Sequence, residues 1–109
     1  MIANPTTMSK WIQDGRSNAS EMVEAIQSRY ETLDPRRKYM FIEWLHAHSS
    51  RMKTAVTVYE GLTAWFESMR YENLQWEYRL IMDEIDWWSN LDEHALSKIM
   101  LANLARNDA

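Results

Sequence analysis

Apolar residues recur at helical spacing along most of the chain. The clearest run lies between residues 49 and 90, where no proline interrupts it. One stripe reads Met52, Ala55, Tyr59, Leu62, Phe66, Met69, and a second reads Tyr71, Leu74, Tyr78, Ile81, Ile85, Trp88. Steps of three and four place side chains on one face of an α-helix. The stripes are out of phase, because Met69 to Tyr71 is a step of two. One helix from residue 51 to 88 would be about 57 Å long at the usual rise per residue. It would turn two apolar faces toward two neighbours and so require a dimer. The pattern predicts instead a break or kink near residues 70–73. Val58, Trp65, Trp76, Leu80 and Trp87 lie off both stripes, so more than one face is sticky.

The rest of the chain reads as shorter helices. Residues 1–6 form an N-terminal arm, and a short helix runs from Thr7 to Gly15, anchored by Trp11 and Ile12. The next begins near Ser17 or Asn18, with Ala19, Met22, Val23, Ile26, Tyr30 and Leu33 on one face. Asp34-Pro35 ends it, since the residue before proline is pushed away from helical geometry. The same pair starts a third helix, with Asp34 as N-cap and Pro35 in the first turn. Tyr39, Ile42, Trp44 and Leu45 face inward, and the polar run from His48 to Arg51 closes it. Ser89 is the expected cap of a last helix, with Asp92 three residues on and Leu96, Ile99, Met100 and Leu104 on its apolar side. The expected fold is a single all-α domain over residues 1–109. It is a small bundle of four to six helices with a long or kinked central helix, associating as a dimer.

Composition sharpens this picture. Six Trp, five Tyr and eight Met are a heavy load for 109 residues. A domain of this size has a radius of gyration near ~13 Å, too small to seal every indole inside. Some are expected at an interface, where Trp supplies area and a polar tip. There is no cysteine, so disulfides and thiolate chemistry are excluded. Two glycines leave no phosphate-cradling loop. The N-terminal residues lack a leader-like apolar core, and no run is long enough to cross a membrane, so the expected location is cytoplasmic.

Charge is unevenly divided. Residues 1–54 carry a net +2 and residues 55–109 a net −6, within a total of −4. The acidic half disfavours general nucleic-acid binding and suits a basic partner. Arg36-Arg37-Lys38 breaks a local rule, since three cations crowd a helix N-terminus whose dipole disfavours them. This cluster, with Arg51 and Lys53, is a candidate contact for phosphate or another anion. The alternative is a solvated cluster paired with acidic helices, for example through Glu84 and Asp86.

Candidate chemistry is thin. Glu43 and His46 resemble one Glu-x-x-His element of the di-iron four-helix bundles, but the second copy such a site needs is missing. No nucleophile elbow accompanies Ser49 and Ser50. No catalytic residue, metal or cofactor is therefore expected. The acidic-aromatic stretch offers the better candidate, with Trp76, Trp87 and Trp88 as anchors and Glu77, Asp83, Glu84 and Asp86 as charge complements. The expected function is a non-enzymatic interaction module that presents this surface to a larger basic protein or nucleoprotein. By analogy of size and acidity alone, it fits a phage or mobile-element inhibitor of the anti-CRISPR or anti-restriction type, acting in the host cytoplasm. The alternative is a nucleic-acid-binding regulator, or a ribonucleoprotein subunit, using Arg36, Arg37 and Lys38.

Overall fold

Helices begin here mostly where a side-chain oxygen stands ready to accept a free backbone N–H. In the computed structural model, which describes residues 15–108, six helices follow one another without a strand among the described residues. They are α1 (Gly15–Glu31), α2 (Pro35–His48), α3 (Ser50–Thr54), α4 (Val58–Glu67), α5 (Tyr71–Asn90) and α6 (Glu93–Asp108). The Asp34 carboxylate accepts from the Arg37 N–H at 2.9 Å and caps α2, with Pro35 in the first turn. Ser49 ends α2 and caps α3. Thr57 accepts from the Glu60 N–H at 3.1 Å and caps α4. Asp92 accepts from the Ala95 N–H at 2.8 Å at the start of α6. Ser89 is not that cap, because α5 runs on through Asn90. The arm and the helix expected before Gly15 lie outside the described residues, and Gly15 itself opens α1 rather than closing a helix.

The stretch read as one long or kinked helix is broken twice. One break falls at residues 68–70, at the near edge of the expected 70–73, and residues 71–73 are already helical. Ser68 and Met69 donate back to Trp65 and Phe66 at 3.3 and 3.2 Å, and the Ser68 hydroxyl donates to the Trp65 carbonyl at 2.7 Å. The break at residues 55–57, where the Thr57 cap competes with helix continuation, was not expected. The two turns fold both stripes onto one core. Met52, Leu62 and Phe66 from the first stripe share a buried cluster with Leu74, Ile81, Ile85 and Trp88 from the second. The phase shift therefore needs no second chain, and it no longer argues for a dimer.

α1 packs on α4 and α5, α3 on α4, and α2 on α3 and α5. The α3–α4 corner is tight. A Cβ on Gly61 would sit 2.8 Å from Met52 Sδ and 3.1 Å from Ala55 Cβ, which explains a mid-helix glycine despite its unfavourable propensity of about 1 kcal/mol. An aromatic chain crosses the bundle through Tyr30, Phe41, Trp44, His48, Trp65 and Phe66, with Trp44 and His48 stacked at 4.4 Å. Tyr39, expected inward, is exposed, and the nearby Glu43 carboxylate raises its pKa. α6 docks through Leu96, Ile99 and Met100. Further along, Leu101 (67%) and Leu104 (57%) face outward, the latter against expectation. The Cα atoms extend over 52 × 32 × 19 Å with a radius of gyration of 16.0 Å, larger than a sphere-like domain of this length. No helix among the described residues is long and apolar enough to cross a membrane.

Candidate interaction surface

Helix α5 carries the acidic and aromatic residues that the sequence singled out. Its inner face holds Leu74, Ile81, Ile85 and Trp88, all buried. The opposite face follows from the same period. Trp76, Leu80, Asp83 and Trp87 are spaced four, three and four apart, so they form a second stripe along the outside. Trp76 is 69% and Trp87 48% exposed. Leu80 was missing from the candidate residues, although its spacing from Trp76 and Trp87 was the signal that marks it.

Trp88 is a correction. It is only 5% exposed and belongs to the core, so it cannot be a surface anchor. Its indole N–H donates to Glu84 at 3.0 Å. Burial raises the Glu84 pKa, opposed by that hydrogen bond and by the charge of His48. The buried indole also braces its neighbour. The Trp87 and Trp88 rings meet edge to face at 4.8 Å and 85°. Trp87 is thus an exposed ring on a fixed support.

The carboxylates divide by what they touch. Asp86 is paired with Arg29 of α1. Glu77 is half-buried, with one carboxylate oxygen hidden from solvent and without a hydrogen-bond partner among the described residues. Asp83 is exposed and has no ion pair among the described residues. Two shallow hollows flank the outer stripe, of about 370 and 430 Å³. Leu80, Asp83, Glu84 and Trp87 line the first, and Asp83, Asp86, Trp87, Asn90 and Leu91 the second. Asp83 and Trp87 border both. A smaller hollow between α1 and α5 is lined by Asn18, Glu21, Met22, Gln75 and Tyr78.

The basic cluster at the start of α2 is engaged within the chain. Arg37 has a side chain 11% exposed. Its Nε donates to the Trp88 carbonyl at 2.8 Å, while its two Nη groups reach the Leu91 carbonyl and the Asp34 carboxylate. A cation unwelcome at the N-terminus of α2 thereby caps the carbonyl end of α5, where the helix dipole favours it. Arg36 pairs with Glu93 of α6 at 2.7 Å, which raises its pKa. Lys38 lies 3.5 Å from Glu31 and 5.3 Å from the centre of the Tyr30 ring. The Asp34 pKa is lowered, first by the Arg37 N–H and then, against some burial, by the Arg37 side chain and the charges of Arg37 and Arg36. The internal partners are therefore Asp34, Glu93 and Glu31 rather than Glu84 and Asp86. Only Arg51 and Lys53, both exposed on α3, are left of the proposed anion site without an ion pair among the described residues.

Among the described residues no group of His, Asp and Glu is arranged to hold a metal ion. No family model, curated protein or solved structure matches the chain.

Proposed function

We propose that this protein is a non-enzymatic interaction module that docks a basic protein surface on the outer face of α5. The observation that carries this reading is the outer stripe of exposed Trp76, Asp83 and Trp87 with half-buried Leu80 between them on the longest helix, Trp87 being braced by a buried neighbour. Large rigid aromatics lose little side-chain entropy on binding, which suits them to the centre of an interface. The carboxylates around them select a cationic partner and speed its encounter. Size and acidity extend the proposal, by analogy, to an inhibitor of a nucleic-acid-processing complex acting in the cytoplasm. Direct binding of nucleic acid is the weaker reading, because Arg36, Arg37 and Lys38 are turned to partners within the chain. Self-association is also proposed, through the exposed Leu101 and Leu104 of α6.

The test uses the chain as bait with the double variant Trp76→Ala/Trp87→Ala beside the natural sequence. The expected result is a salt-sensitive capture that the variant loses while its helical circular dichroism is unchanged. Capture that survives in the variant places the binding surface elsewhere. A gel shift at low salt that depends on Arg51 and Lys53 would favour the nucleic-acid alternative.

A further inference from the structure

We infer that the Trp87 ridge is an arginine-binding site. The two hollows beside it receive guanidinium groups from one basic segment of the partner, stacked on the indole and bonded to Asp83. This deepens the docking proposal and rests on it. Asp83 borders both hollows, is exposed, and carries no ion pair among the described residues. Of the three carboxylates that line the hollows it is the one without an internal partner among the described residues. Glu84 adds negative charge to the first hollow and Asp86 to the second, though each already has a partner in the Trp88 indole and Arg29. Asn90 and Leu91 place the second hollow at the carbonyl end of α5, although Arg37 already caps that end through the Trp88 and Leu91 carbonyls, so the attraction rests on the carboxylates.

The aromatic element decides between the two basic side chains. A guanidinium is planar, stacks on an indole and offers paired N–H groups to a carboxylate, whereas an ammonium is a compact and strongly hydrated point charge. A fixed indole beside an open carboxylate therefore favours arginine over lysine. Trp87 is fixed in this sense by its edge contact with buried Trp88. The acidity of residues 55–109 repels a phosphate backbone or an anionic membrane and leaves a basic polypeptide as the occupant.

The probe is a short blocked helical peptide with two arginines one turn apart, titrated into the full chain with indole N–H resonances observed. Binding is expected to move the Trp87 resonance. Exchange of both arginines for lysine, or of both for citrulline, is expected to weaken binding about tenfold or more. Asp83→Asn is expected to do the same, and Trp87→Ala to abolish it. Equal affinity for the lysine peptide, or binding indifferent to Asp83→Asn and Trp87→Ala, overturns the site. So does a dimer that Trp87→Ala dissolves, since a second copy then occupies the ridge. Partner capture that needs Trp76 and Trp87 but is insensitive to Asp83→Asn and uncompeted by the arginine peptide overturns the arginine site and leaves docking on α5 intact. Capture indifferent to the double tryptophan variant overturns docking, while arginine-selective binding at Trp87 would still support the site.

Discussion

Two charged regions of this molecule look alike in sequence and behave oppositely in the fold. The cations of residues 36–38 are spent inward. Arg37 ties α2 to the carbonyl end of α5, Arg36 holds α6, and Lys38 reaches back to α1. The carboxylates and indoles of α5 are split between inner and outer faces, and Trp76, Asp83 and Trp87 remain outside. A cluster of charge announces nothing about a binding partner until its internal partners are known. What separates the two regions is whether another helix arrives opposite them.

The adjacent indoles give the largest test of that contrast. Trp88→Ala removes a core side chain and is expected to cost about 4 kcal/mol. Trp87→Ala removes a half-exposed one and is expected to cost below about 1 kcal/mol. Urea unfolding followed by circular dichroism measures both. Similar losses for the two variants would mean that the inner and outer faces of α5 are not distinct.

The basic corner supplies the next effect. Arg37→Ala leaves the Asp34 carboxylate and the Trp88 and Leu91 carbonyls without their cation, and is expected to cost about 3 kcal/mol. Arg51→Ala, on an exposed turn of α3, is expected to lie within about 0.5 kcal/mol of the natural chain. If Arg37→Ala proves equally mild and lowers affinity for polyanions, the corner is a binding site after all.

Local chemistry was legible in the sequence and distant partnership was not. Asp34-Pro35 marked a helix boundary correctly because both effects act within one turn. The cap at Thr57 was hidden because apolar residues continue through the turn at Ala55 and Val56, so the period gave no sign of a break. The three cations were seen to violate the dipole rule. The resolution lies 51 and 54 residues away, at Trp88 and Leu91, beyond the reach of any local pattern. Trp88 was misassigned although the pattern held the answer. It shares the inward stripe of Ile81 and Ile85, while Trp87 shares the outward one of Trp76 and Leu80.

The smallest expected effect separates the regions by the sign of their pH dependence. Burial raises the folded-state pKa of Glu84, so the folded chain holds its proton more tightly than the unfolded one. Its contribution is favourable below the usual glutamate value near ~4.3 and fades as pH rises through the folded pKa. Glu84→Gln keeps an acceptor for the Trp88 indole and removes that titration. Its stability relative to the natural chain is therefore expected to improve from pH 4 toward pH 7, by less than about 1 kcal/mol because the carboxylate keeps much of its solvent. Asp34 has a lowered pKa, set first by the Arg37 N–H, so its contribution is present at neutral pH and vanishes as pH falls below the usual aspartate value near ~3.9. Asp34→Asn retains the cap and loses the charge. It is expected to be less stable than the natural chain at pH 7 and to converge on it in acid. Denaturant midpoints measured across pH 3–7 should thus move apart in opposite directions for the two variants. Parallel curves would show that the carboxylate at the corner and the carboxylate on α5 experience the same electrostatic environment.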